Sequence, residues 1–279
     1  MKTSPFTLSK AAFSAALCGT LLFACDDPEE EAVTPAAPRA SEVSAEIKSQ
    51  FTELGFDVSD IARDGKNYLL EGDITITPEA FNHMLSSDPV IVNNAKGEQY
   101  RTFNLVSRNL STIRVRSTNS NSRVLLAVDR AIFNYNQLGL TFNMVRVPAS
   151  EPAEITVSIV SLGGALGVAG FPNGNGLPFS SVRLDPAAFN GRTDDEAELV
   201  VTHEIGHCLG LRHSDWYNRS LSCGQGGNEG SGSVGAEFIP GTVEFDPESI
   251  MNSCGTNRTA GFVNGEFSQF DAVALRELY

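Results

Sequence analysis

The sequence predicts an α+β fold, and three observations carry that prediction. A strand-like stretch, Thr112 to Arg116, leads into a long helical stretch, Asn121 to Leu138, and further strand-like stretches follow at Leu140 to Val147, Ile155 to Val160 and Ser181 to Leu184. A second long helix is announced by the capping signature Thr193-Asp194-Asp195-Glu196. The chain beyond that helix is rich in Gly and loops, so the elements form a helix on a twisted mixed sheet, a second helix, and an irregular half. The 279 residues, 41% of them hydrophobic, bound one large domain or two modest ones and exclude a disordered tail protein. With 20 Lys and Arg against 34 Asp and Glu, the net charge is −14, which repels phosphate backbones and argues against a nucleic-acid partner.

Residues 1–24 read as an address. Lys2 and Lys10 precede an apolar stretch, Ala11 to Ala24, that is too short to span a bilayer stably, as in a cleaved signal peptide. The sequence Leu22-Phe23-Ala24-Cys25 resembles the lipobox of bacterial lipoproteins, in which Cys25 would be lipidated and hold the chain to a membrane. An ordinary signal peptide with an incidental Cys is the alternative. Residues 25–40 carry Asp26, Asp27, Glu29, Glu30 and Glu31, then Pro35 and Pro38, a tether too polar and Pro-rich to pack. Such acidic runs also resemble surface-export signals, with a plain spacer as the alternative. The expected location is therefore the bacterial cell envelope, on the outer membrane or cell surface, with release outside the cell a further option.

Residues 41–100 form a small module and a connector. Val43, Ile47, Phe51 and Leu54 share one helical face between Ser41 and Leu54, and Gly55 ends it. Tyr68 to Thr77 reads as extended chain, and Thr77-Pro78-Glu79 opens a short helix through Leu85. Periodicity is lost beyond Asp88, and a second module, 101–279, begins near Arg101. In its first helix Val124, Val128, Ala131, Ile132 and Tyr135 point inward, and Gly139 closes it. Gly163, Gly164, Gly167 and Gly170 are spaced loosely like a phosphate loop, but no Lys or helix follows, so a bulged edge strand is the preferred reading.

Of the five Cys, Cys18 leaves with the signal and Cys25 takes lipid, which leaves three in a compartment that permits disulfides. Cys208 shares a buried helical face with Val201 and Ile205, so Cys223 and Cys254, in Gly-rich loops, are the candidate pair.

The chemistry lies on the second long helix and just beyond it, in His203-Glu204-Ile205-Gly206-His207-Cys208-Leu209-Gly210-Leu211-Arg212-His213. Residues four apart on a helix share a face, so His203 and His207 can reach one ion, with Glu204 beside them. Gly210 can stop the helix in the left-handed conformation and let His213 double back as a third nitrogen. Three imidazoles leave one of four tetrahedral positions for water, which is the ligand count of a catalytic zinc site. The chain has only four His, and three stand in this motif.

The pattern HExxHxxGxxH, followed by Ser249-Ile250-Met251-Asn252-Ser253, resembles the metzincin metalloproteases, and within them the bacterial secreted type whose helix reads HEIGH. The resemblance covers about Arg101 to Tyr279. It implies a zinc cleft between a sheet-and-helix subdomain and a C-terminal subdomain, whose last helix Ser268 to Tyr279 can supply. It also implies that His203, His207 and His213 bind Zn2+, that Glu204 is the general base of peptide hydrolysis, and that Met251 forms the Met-turn. Asp215 matches a position that several metzincin branches use as an outer-shell anchor. Ser253 departs from the Tyr that astacin-like and serralysin-like branches place there, so a subfamily is not assigned. The substrate would be a protein or peptide, adding as a strand near Ala165 to Phe171, on a protein expected to act as a monomer. A zinc amidohydrolase of wall peptides and a non-catalytic zinc-binding surface lipoprotein are the rival readings; Glu204 argues against the second, because a structural metal has no use for it.

Leu70-Glu71-Gly72-Asp73-Ile74 resembles the FxGD segment of astacin-type prosegments, with Leu70 in place of Phe. The resemblance implies that Asp73 reaches the zinc and keeps the enzyme latent. A plain Gly-Asp turn between two strands is the alternative.

Overall fold

The computed structural model describes residues 42–86, 99–255 and 264–279, all within one compact unit, Pro38–Tyr279. The expected signal peptide, the tether with Cys25, and most of the connector lie outside the described residues.

The first module is a helix on a small sheet. Helix α1 (Ala45–Glu53) starts later than the periodicity suggests, because Ser44 caps it by accepting from the Ile47 amide at 3.3 Å. It buries Phe51, whose ring stacks on Phe81 at 4.3 Å and meets Tyr68 edge-on at 5.1 Å. Strands β1 (Ala62–Asp64), β2 (Asn67–Leu70) and β3 (Ile74–Ile76) pair antiparallel in that order. The sequence suggests one extended stretch over Tyr68 to Thr77, but Glu71 and Gly72 take φ of +58° and +90° and fold it into a hairpin. Helix α2 (Pro78–Ser86) follows, with Thr77 accepting from the Ala80 amide at 3.1 Å. These elements share their own apolar cluster, to which the second module contributes Phe171.

The second module is built on a five-stranded sheet. Its order is β6 (Asn143–Val147), β5 (Thr112–Ser117), β7 (Ile155–Ile159), β9 (Ser181–Leu184) and β8 (Gly167–Val168), parallel except for the antiparallel edge strand β8. Helix α3 (Ser122–Gln137) crosses from β5 to β6, and its Val124, Val128, Ala131 and Ile132 share the core with Ile113, Val115, Met144, Val157 and Val182. Helix α4 (Asp194–Leu209) packs beside α3; the Tyr135 hydroxyl donates to the Thr202 carbonyl at 2.9 Å, and Arg130 binds Asp195 and Glu198. Helix α5 (Ser220–Cys223) is a single turn, and α6 (Gln269–Leu278) starts from a capping box at Ser268.

Gln99 and Tyr100, just before the boundary expected near Arg101, bond to the second module. Gln99 is fully buried, and its Nε2 donates to Ser249 at 2.8 Å and to Asp271 at 2.7 Å. Strand β4 (Tyr100–Arg101) pairs with β10 (Glu237–Phe238). Both residues thus belong to the second module, because its buried polar groups need them.

Candidate metal centre

Helix α4 is nucleated by reciprocal bonds. The Glu196 amide donates to Thr193 Oγ1 at 3.1 Å, and the Thr193 amide donates to Glu196 Oε2 at 2.7 Å. It ends at Gly210, whose φ of +103° turns the chain sharply. Hydrogen bonds from the Leu211 amide to the Gly206 carbonyl (3.0 Å) and from the Arg212 amide to the Tyr100 carbonyl (2.8 Å) then hold residues 211–213 against the helix end and β4.

This brings the three imidazoles together. His203 Nδ1 lies 2.7 Å from the Ile250 carbonyl, His207 Nδ1 2.9 Å from the Leu211 carbonyl, and His213 Nδ1 2.9 Å from Glu229 Oε1. Those acceptors assign each proton to Nδ1, so each Nε2 carries a lone pair. Yet His203 Nε2 and His207 Nε2 are 3.0 Å apart, and Asp73 Oδ2 is 3.0 Å from His213 Nε2 and 3.5 Å from His203 Nε2. Lone pairs gathered in this way repel one another unless a cation lies among them. Ligand atoms of Asp73, His203, His207 and His213 all lie within 4.8 Å of one another, and three imidazoles with one carboxylate are a donor set that suits zinc.

Charge follows the same geometry. Burial alone would push the Asp73 carboxyl up, and it is held well below the usual carboxylate range only by positive charge at His213 and the other imidazoles, a charge that a metal ion would supply where their Nε2 atoms carry lone pairs. Burial pushes the Glu204 carboxyl up, and the negative charge of Asp73 adds to the effect. Glu204 is 2% exposed, and its Oε2 has no hydrogen-bond partner among the described residues. Its other oxygen packs against the edge strand so closely that a Cβ at Gly167 would collide with it. The carboxyl borders a cleft of about 460 Å³, also lined by His203, Asp73, Leu199, Val200 and Ser253.

Met251 is fully buried against helix α4, and a Cβ at Gly206 would collide with its sulfur. Its turn is fixed by Asp271, which accepts from the Ile250 amide at 2.9 Å and from the Ser249 hydroxyl at 2.6 Å. Asp215 accepts from the Ser253 amide at 2.9 Å and from the Ser222 hydroxyl at 2.6 Å, and none of its hydrogen bonds among the described residues runs to an imidazole. It therefore ties the loop after Met251 to the turn carrying Cys223. The Cys223–Cys254 disulfide joins the same two segments, while Cys208 is buried and free.

Two further participants escape a reading of the sequence. Glu229 engages His213 from a Gly-rich loop, and the only signal for it is that a ligating His needs an acceptor on its other nitrogen. Arg212, wholly buried, donates to the Ser231 carbonyl at 2.9 Å and to the Gly235 carbonyl at 3.2 Å, and pairs with Glu71. Burial pushes the Glu71 carboxyl up to about 8 against the pull of that guanidinium.

The hairpin that carries Glu71 and Asp73 also occupies the sheet edge. The Thr75 amide donates to the Ala169 carbonyl at 2.6 Å, the Ala169 amide to the Asp73 carbonyl at 3.0 Å, and Ile74 bridges Ala169 in parallel. Near Ala169, the stretch expected to receive substrate is thus taken by β3.

Comparison with known proteins agrees with this chemistry. The sequence profile of the dual-action HEIGH metallo-peptidases matches residues 68–279, a span that takes in the Asp73 hairpin. No curated protein matches. Two solved structures of myroilysin are similar at 15% and 16% identity, with TM-scores of 0.37 and 0.38; each match covers 61% of this chain and, respectively, 95% and 83% of the other.

Proposed function

The chain belongs to the dual-action HEIGH metallo-peptidases and is a zinc metalloendopeptidase, and on that premise we propose that it is made as a latent precursor whose first module closes the active site. The single observation that carries this reading is the seating of Asp73 Oδ2 at 3.0 Å from His213 Nε2, with its main chain bonded to the sheet edge.

His203, His207 and His213 are proposed as the lasting metal ligands, with Met251 as the floor beneath them. Zinc, when bound, supplies a Lewis acid that polarises a peptide carbonyl and acidifies water. Glu204 is the proposed general base. Its Oε2 has no hydrogen-bond partner among the described residues and borders the cleft beside His203, placed to take a proton and return it to the leaving amine. The edge strand around Ala169 would align an extended substrate once β3 has left. Asp73 would fill the position that water needs, and cleavage between residues 87 and 98 would free the module that carries it.

The same reading places the precursor in the cell envelope, anchored through a lipid on Cys25, because the sequence before that residue resembles a lipobox. Intact-mass measurement of protein from membranes would find Cys25 as an acylated first residue; an unmodified soluble chain would remove the anchor.

The test of latency uses the zinc-loaded full chain and an unstructured protein as substrate. Before cleavage it should be nearly silent, and a limited tryptic cut at Lys96 should release activity. A full chain as active as the cut one would return the first module to the role of a spacer.

A further inference from the structure

Resting on the latent-peptidase reading, we propose that the uncovered cleft selects acidic peptides, and that Arg212 and Arg219 form a subsite for a substrate carboxylate. The first module shows what that cleft holds. Residues 42–86 carry nine carboxylates against three cations. Among the described residues, every ion pair between the two modules runs from a carboxylate of the first to a cation of the second. Glu71 meets Arg212, Asp60 meets Arg219 at 3.2 Å, Asp64 meets Arg183, and Asp73 meets the imidazoles.

These arginines stand close to the reacting centre. Arg212 directly precedes His213, and Arg219 lines the zinc cleft, with its Nη2 3.6 Å from where a Cβ on Gly72 would lie. When the first module leaves, Glu229 is the one carboxylate among the described residues that still pairs with both guanidiniums, at 4.0 Å from Arg212 and 3.3 Å from Arg219. That carboxylate already serves His213. Arg212 cannot simply swing out to water, because its bonds to the Ser231 and Gly235 carbonyls and the rings of Trp216 and Phe171, 5.4 and 5.8 Å from its guanidinium, hold it in place. A guanidinium short of a counter-ion attracts a carboxylate, which it can grip with its planar fork. The vacated Glu71 position is therefore a preformed carboxylate site beside the metal. Glu71 reaches it from the hairpin turn just before β3, so a chain seated on the sheet edge can deliver a side chain to it from a turn at its end.

The test uses the zinc-loaded full chain cut at Lys96, with short fluorogenic peptides in which a single Glu is walked along the sequence, each matched to a Gln twin. Any released module that still binds competes equally with both twins, so the ratio of their kcat/KM values is unaffected. The expected result is one position at which Glu is favoured by about tenfold or more, a preference that shrinks in high salt. Arg219→Gln should bring that ratio towards one, chiefly by lowering kcat/KM for the Glu peptide; Arg212→Gln should do the same if it folds, and the partly exposed Arg219 decides the matter if it does not. Ratios near one at every position, with an unstructured protein still digested, would overturn the acidic preference and leave the peptidase reading intact. If zinc is bound and nothing is digested, the underlying reading fails, and binding of the same peptides to the cut Glu204→Gln chain, followed by fluorescence anisotropy, then decides the preference alone: tighter binding of a Glu peptide upholds it and equal binding overturns it.

Discussion

Four side chains meet at the metal centre, and two regions deliver them in opposite ways. The segment from His203 to His213 is supported by the interior of the second module: each imidazole is tied at its far nitrogen to a carbonyl or a buried carboxylate. Around it lie Ile205, Leu209, Ile250 and Met251, all fully buried. The hairpin from Glu71 to Asp73 is held differently. Two successive residues take positive φ, Glu71 Oε2 and Asp73 Oδ1 are buried without hydrogen-bond partners among the described residues, and the grip comes from ion pairs and main-chain bonds to a sheet edge. Apolar packing and satisfied second bonds make a ligand permanent, whereas strain offset by charge makes one that can leave.

The largest expected effect tests whether the permanent region does the chemistry. Glu204→Gln should keep its zinc, because no nitrogen ligand is touched, yet turnover by the cut enzyme should fall by at least ~100-fold. Metal analysis beside a kinetic assay checks both halves. Unchanged turnover would move the base elsewhere.

Zinc affinity sharpens the contrast directly. Glu229→Gln weakens the partner of His213 and should cost about 10- to 100-fold in affinity, and His213→Ala should cost more. Asp73→Ala should cost less than His213→Ala, because three imidazoles remain to hold the ion. Competition with a chelator ranks the three variants. Equal losses for Asp73→Ala and His213→Ala would make Asp73 a permanent ligand and dissolve the distinction between the regions.

The same contrast decides what could be read in advance. The zinc helix was legible because its determinants are local: a cap at Thr193, His residues four apart, and a Gly where the chain must turn. Strands β7 and β9 were legible from alternating apolar residues, and the inward face of α3 from its period. The hairpin was less so, since its break depends on Glu71 adopting a conformation that its side chain disfavours, held there by Arg212 from 141 residues away. Glu229 was illegible for a similar reason, because the Gly-rich loop that carries it has no periodicity. Strand β1 is only three residues long and is given its place by β2 rather than by its own pattern. Gln99 belongs to the core because Ser249 and Asp271, far along the chain, need its amide.

The smallest expected effect probes the strain in the departing region. Gly72 has φ of +90°, where an L side chain costs about 1 kcal/mol or more, and a Cβ there would meet only Arg219 Nη2 at an ordinary 3.6 Å. The cost of Gly72→Ala is therefore a backbone cost, paid in the closed hairpin and relieved when the hairpin leaves. The metal ligands of the second module are untouched. The variant should consequently bind zinc through its imidazoles as before, while its module releases more readily, by about fivefold for each 1 kcal/mol. Time courses of activation after a limited cut at Lys96 would show this as a shorter lag with an unchanged final rate. An unchanged lag would mean that something other than the Glu71–Asp73 hairpin sets the hold of the first module, and a lower final rate would mean that Gly72 serves the site after the hairpin has gone.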